Sequence, residues 1–324
     1  MSSFKGTIRL GPIRERPAGE SLRHYRWGDR LAFLGCWAAG LALCAIAGAI
    51  CLYMLWRGLQ YLSLDLITSR PQAGADQARS GGFLDPILGT VVLTIVGICF
   101  AVPPAVATAV WYVEYGRPSW LARAVESAIE VLAGTPDIVF AIFGLLLFQN
   151  GIFAWMSLTA AGGAVLGRSF LTAGCMMALI ALPMVFGAVR EGLQSVPAHV
   201  REASYGLGKT KVATIRRVLL PAVRPNIGTG AVLGMGRIAG DTAVVVILLG
   251  ASLQLSPEGS LPGFNVLRGT GATLTSYVYN NSPAGEGNAP QKAYAAAFVL
   301  LLIVLVLNFV VARIVARRIA YGGH

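Results

Sequence analysis

Only 13% of the 324 residues are charged and mean hydropathy is +0.65, whereas a soluble domain carries roughly 25% charge. These values exclude an ordinary soluble enzyme. The net charge of +11 would suit a nucleic-acid binder, but the placement of the basic residues excludes that reading too.

Residues 1–30 hold seven Lys and Arg, two prolines and four glycines, and read as a basic cytoplasmic tail with a helix starting near Trp27. Six apolar runs follow, each near or above the ~20 residues that cross a bilayer: 31–56, 87–113, 125–149, 169–190, 226–250 and 293–315. The expected architecture is an all-α polytopic membrane protein with one membrane domain over 31–318 and six transmembrane helices. The first run exceeds the roughly 7–15 apolar residues of a signal peptide, so it reads as a retained span. Trp27 and Arg30 suit its interfacial edge.

The loop 57–86 is polar and reads as external. Asp85-Pro86 is expected to cap and open span 2. Pro103-Pro104 removes two backbone donors within that span and predicts a kink. Gly134-Thr135-Pro136-Asp137 predicts a break, with a short helix before it and a crossing helix after it. Span 4 contains Pro183 and leads through Val196-Pro197 into a basic loop. Span 5 is expected as one helix through Arg237 and Asp241. The outer loop 251–291 is rich in Gly, Ser, Asn and Pro, and Val266–Asn280 reads as a re-entrant or interfacial helix. Span 6 is a Leu/Val/Ala helix ending in Arg313, Arg317 and Arg318, which suit lipid anchoring. Cys36, Cys44, Cys51, Cys99 and Cys175 lie in apolar runs without metal spacing and read as small buried hydrophobes.

Basic residues alternate between sides. The tail, 114–123, 190–224 and 313–318 together hold nineteen; the three intervening loops hold six. By the positive-inside rule both termini and the 190–224 loop are cytoplasmic. Anionic lipid is a further partner of such a surface.

Arg237 and Asp241 lie four apart, on one face of an expected helix. A charge within a membrane costs at least about 2.5–3.5 kcal/mol on insertion scales, so both should face a partner helix or an aqueous path. One reading is a pathway arginine that attracts an oxyanion, oriented by Asp241 and followed by Thr242; the other is a self-neutralising structural ion pair. Gly230, Gly234, Gly236 and Gly240 would let helices approach closely. His24, His199 and His324 form no cluster, and no G-x-S-x-G context exists, so neither a metal site nor covalent catalysis is indicated.

The loop at 198–221 contains Glu202-Ala203-Ser204, then Gly208, Val218 and Leu220-Pro221. This spacing resembles the E-A-A, x3, G, x9, I, x, L-P coupling loop of ABC-importer permeases, with Ser204 for the second alanine and Val218 for the isoleucine. Ala203 to Thr210 also fits a loose nucleotide-loop pattern ending Gly208-Lys209-Thr210. No strand precedes it to build a phosphate cradle, so Lys209 and Thr210 read as surface residues.

Gly236-Arg237-Ile-Ala-Gly240-Asp241-Thr242 resembles the R-A-x-G-E-T segment of phosphate-importer permeases, the PstA/PstC pair. Ala133 to Leu145, Ala181-Leu-Pro183 and Asn308 resemble the PstA side. Asp241 stands where that family has glutamate. Asp137 stands where it has a small polar residue, adding a charge that alters the pathway or pairs with an arginine elsewhere. The resemblance implies the type I importer-permease fold in a bacterial inner membrane, without enzyme activity or cofactor of its own. It further implies a PstC-like sibling permease, two PstB-like ATPase copies that use the ATP, and a periplasmic or lipid-anchored PstS-like binding protein. Glu202, Ala203, Ser204, Gly208, Leu220 and Pro221 would dock the ATPase, with Gly208 bending the chain between two short helices. A permease for another oxyanion or phosphonate is the alternative, and a non-transporting scaffold a further one.

Overall fold

The computed structural model describes residues 27–71, 81–116, 119–160, 162–250, 264–283 and 289–320. Most of the expected basic tail lies outside them. The chain divides into two units, one ending at Tyr53 and one beginning at Met54. The first contributes the start of α1 (Trp27–Tyr61), which carries no charged residue from Leu31 to Tyr53. An unbroken apolar surface of this kind suits a helix in lipid.

The second unit is helical. Among its described residues the only β feature is a bridge between Thr159 and Val165. It continues through α2 (Leu64–Thr68), α3 (Leu84–Glu114), α4 (Trp120–Gly134), α5 (Asp137–Phe148) and α6 (Phe170–Ser195). After the basic loop come α10 (Arg224–Gly240), α11 (Phe264–Arg268), α12 (Leu274–Asn281) and α13 (Pro290–Ala320). Among the described residues four helices are long and apolar enough to cross a membrane: Leu31–Tyr61, Leu84–Glu114, Phe170–Ser195 and Pro290–Val311. They match expected spans 1, 2, 4 and 6.

Span 3 is broken as expected. α4 and α5 meet at 103° across Thr135-Pro136, where Pro136 is the N-cap of α5. The crossing helix expected after the break is not found: the twelve residues of α5 reach only about 18 Å, and α4 before it, with 15, is the longer of the two. Span 5 departs from expectation. α10 ends at Gly240, and Asp241 takes an extended conformation. Helical structure resumes at Ala243 and passes into a π-type turn, Val245–Leu249. The Asp241 carboxylate accepts the Val244 N–H at 3.2 Å, which starts a new helix end by N-capping it. The Asp241 carbonyl accepts the Thr275 hydroxyl at 2.9 Å, so the outer loop holds the break.

The centre of this unit is α3, α6 and α10. In a bilayer such helices associate by van der Waals contact more than by water exclusion, so small residues matter most. A Cβ at Gly97 would lie 2.8 Å from Ile238, and one at Gly230 would lie 3.0 Å from the Val185 backbone. Gly230 and Gly234 therefore permit close approach as expected; Gly236 and Gly240 have nothing within 4 Å. α3 runs helically through Pro103-Pro104 and begins at Leu84 after Phe83, so Asp85 lies in its first turn and does not cap it. The expected helix over 266–280 is two short ones, α11 and α12. At the start of α12 the Leu274 N–H donates to the Thr90 hydroxyl of α3, anchoring that helix.

The cysteines correct the reading of apolar runs as buried. Cys36, Cys44, Cys51 and Cys99 are exposed, and Cys175 is half-buried. On a membrane-spanning helix an apolar side chain is stable facing lipid, so hydrophobicity does not imply burial.

Candidate functional site

Three groups of residues carry the polar chemistry. The first is the basic loop. α7 (Ala198–Gly206) follows Pro197, and the chain turns at Leu207 and Gly208 before Thr210 caps α8 (Lys211–Thr214). A π-type turn, Ile215–Leu219, and α9 (Leu220–Ala222) extend α8 without a gap. Gly208 has φ +73° and no atom near the position of a Cβ. Glycine is favoured there by backbone conformation rather than by space. Leu220-Pro221 continues the helix; the chain turns at Val223, two residues beyond Pro221.

The loop is fastened to the bundle by polar contacts at the end of α3 and by Ile215, Leu219 and Val223, which are buried against α3 and α6. Arg201 pairs with Glu114 at the end of α3, Nε to Oε1 at 3.1 Å. It also donates to the Val196 carbonyl at 2.7 Å and the Leu193 carbonyl at 2.8 Å. From the far side of the bend, Lys211 donates to the Glu114 carbonyl and lies over the Tyr115 ring. Both short helices thus grip the same helix end. Ser204 is buried and its hydroxyl lies 2.8 Å from that of Thr214, joining α7 to α8. This bond gives the Ser204 departure from alanine a local purpose. Glu202, Ala203, Gly208, Lys209 and Thr210 are exposed, as are the apolar side chains of Leu207 and Val212.

The second group lies where the two broken spans meet. Arg237, in the last turn of α10, places Nη2 2.6 Å from both Oδ1 and Oδ2 of Asp137. Each charge sits at the favourable end of its own helix: the carboxylate in the first turn of α5, the guanidinium in the last turn of α10. Arg237 therefore pairs with Asp137. The expected Arg237–Asp241 pair on one helix face does not form, because the helix stops at Gly240. Of the two fates foreseen for Asp137, the structure gives pairing with a distant arginine. Thr242 lines a cavity of about 380 Å3 with Ile138, Ala243, Val246, Ile247 and Tyr279. Ile138 and Thr242 directly follow Asp137 and Asp241 in the chain.

Sequence reasoning missed a third polar group. Glu126 of α4 pairs with Arg190 of α6 at 2.8 Å and accepts the Tyr112 hydroxyl of α3 at 2.9 Å. The Arg190 guanidinium lies 4.7 Å from the Tyr112 ring centroid. Three residues on three helices leave no local spacing to recognise; a charged residue within the apolar run 125–149 was the available signal.

Comparison with known proteins places this geometry. The family model described as "Binding-protein-dependent transport system inner membrane component" matches residues 101–320. Phosphate transport system permease protein PstC of Xylella fastidiosa (strain 9a5c) is 30% identical, over 94% of this chain and 95% of its own length. Phosphate transport system permease protein PstA 1 of Mycobacterium tuberculosis (strain CDC 1551 / Oshkosh) is 33% identical, over 74% and 73%. Relatives of both kinds match, so the PstA side is not distinguished from PstC. The inward-facing MetNI methionine ABC transporter superposes with a TM-score of 0.56 at 18% identity, over 73% of this chain and 95% of that one. A bacterial ABC transporter involved in the import of the acidic polysaccharide alginate gives 0.58 at 17%, over 90% and 99%. These two likenesses concern the fold, that of type I importer permeases.

Proposed function

We propose, on the premise that this chain belongs to the binding-protein-dependent transport system inner membrane component family, that it conducts inorganic phosphate. It is a multi-pass permease subunit of an ABC importer; the cargo, the pathway residues and the coupling contacts are the proposal. Arg237 carries it. Its Nη2 is held by Asp137, while among the described residues Nε and Nη1 have no hydrogen-bond partner. A guanidinium offers planar, permanently charged donors suited to phosphate oxygens. Its side chain is 42% exposed, so an anion reaches it without opening the core. Thr242 would present a hydroxyl to the same path, and Asp241 would serve it by holding the helix break. The names of the relatives support phosphate among the oxyanions.

Coupling follows from the loop. Glu202, Ala203, Leu207 and Val212 form an exposed surface that a partner ATPase would grip, with Gly208 setting the angle between α7 and α8. Leu220 and Pro221 carry the helix back towards the bundle. Through Arg201 and Lys211 a push on the loop reaches Glu114 and the length of α3, biasing two membrane states. A sibling permease, two ATPase copies and an external phosphate-binding protein complete the importer in a bacterial inner membrane. The charge asymmetry supports both termini on the cytoplasmic side.

The test is ATP-dependent uptake of labelled phosphate by a phosphate-import-deficient bacterium carrying this chain and its partner subunits. Wild type is compared with Arg237→Gln at matched membrane levels. Loss of one or two charge-assisted hydrogen bonds predicts a fall of about 10- to 100-fold. Equal uptake would return Arg237 to a structural role, and no uptake by the assembled wild-type complex would exclude phosphate.

A further inference from the structure

We propose, resting on the phosphate reading, that Asp137 sets anion selectivity: its carboxylate accepts the acidic proton of phosphate and repels anions that have none. Arg237 reaches both oxygens of Asp137 through a single nitrogen at 2.6 Å. The Asp137 side chain is 23% exposed, so the pair is open to an arriving ion. It stands at the junction of two helix breaks, three residues after Gly134 and four before Asp241 respectively. Asp241 is unsuited to this role. It is buried, and its carboxylate is engaged by the Val244 N–H of the helix that it caps.

The chemistry of the pair discriminates. Near neutral pH phosphate keeps at least one P–OH. One such ion can receive donors from Arg237 on its charged oxygens and donate its proton to Asp137, satisfying both partners at once. Sulfate has no proton to give. To reach Arg237 it must bring an oxygen against a carboxylate already at hydrogen-bond distance, and like charges so placed repel. Chloride meets an already neutralised pair. No bond is made or broken; the selectivity is a difference in which hydrogen bonds can form. An amide at this position would donate to sulfate instead of repelling it.

The experiment uses the complete importer in vesicles, with ATP and the binding protein, and reads phosphate uptake while sulfate is raised in both compartments. Sodium chloride at equal ionic strength is the control. Sulfate then acts on the permease itself, whatever the binding protein selects. For Asp137→Asn and Asp137→Ser, half-inhibition is expected at a sulfate concentration about tenfold below that for wild type, the scale of one charged hydrogen bond. Chloride sensitivity should not change. Asp137→Glu, which restores the carboxylate, should recover most of the resistance. Equal sulfate sensitivity in wild type and both neutral variants would overturn the role of Asp137 alone. Because Asp137 also bonds phosphate, the sulfate-free rate should itself fall in both neutral variants, so half-inhibition is read relative to each variant's own sulfate-free rate. Absence of phosphate uptake by wild type would remove the phosphate reading, and this inference with it.

Discussion

Gly208→Val isolates the bend between α7 and α8. Gly208 has φ +73° with open space around its Cα, so the substitution meets no clash and its cost is conformational. A left-handed backbone costs an ordinary L-residue about 1–2 kcal/mol, and β-branching makes it less favourable still. The chain can keep the turn at that cost, or release it and part Ser204 from Thr214, losing about 1 kcal/mol of hydrogen bonding. The two routes move the population away from the native loop by about five- to thirtyfold. The bundle does not share in this, because α3, α6 and α10 make no use of Gly208. Membrane insertion should therefore stay near wild type while phosphate-dependent ATP hydrolysis in vesicles falls by about five- to thirtyfold. Gly208→Asn is the control, since asparagine tolerates this conformation, and should retain most activity. Equal activity of the valine and asparagine variants would refute the argument that backbone conformation at 208 governs coupling.

Other perturbations give distinct outcomes. Ser204→Ala restores the alanine of the family pattern but strands the buried Thr214 hydroxyl; a loss of about 1–2 kcal/mol should appear in thermal unfolding, mostly recovered by adding Thr214→Val. Asp241→Asn should leave phosphate uptake and sulfate resistance near wild type, because asparagine caps as well as aspartate, whereas Asp241→Ala should cost about 1 kcal/mol and lower uptake. Loss of sulfate resistance in Asp241→Asn would place the selective carboxylate at 241. Glu114→Gln removes a buried carboxylate from Arg201, which keeps its two backbone carbonyls; a destabilisation of about 1–3 kcal/mol, with uptake falling more than assembly, would show the clamp transmitting force.

What could be read from sequence follows from where the information lies. Spans 1, 2, 4 and 6 are continuous apolar runs, and continuity is a local property. The break in span 3 was legible because Gly134-Thr135-Pro136 announces itself. The break in span 5 was not: Gly240-Asp241-Thr242 contains no proline, and apolar composition runs on to Leu249. Helical spacing then paired Arg237 with Asp241, whereas Asp137, a hundred residues away, is its partner. The two short helices around Gly208 were expected from the family resemblance, but their attachment to Glu114 depends on contacts 87 and 97 residues apart. Hydrophobicity told which residues avoid water, and in this setting that did not separate core from lipid face, as the exposed cysteines show.

The distance along the chain between Asp137 and Arg237 also has a consequence for biogenesis. A ribosome adding about 5–20 residues per second makes Arg237 some 5–20 s after Asp137. Throughout that interval α5 presents an uncompensated carboxylate, at a cost of about 2.5–3.5 kcal/mol where it meets hydrocarbon. Its twelve residues are also too short to span alone. The α4–α5 segment is therefore a poor candidate for early release into lipid. It should stay at the insertion machinery, or at its aqueous margin, until α6 and α10 emerge. The ion pair thus makes the third span's final placement wait on synthesis of the fifth.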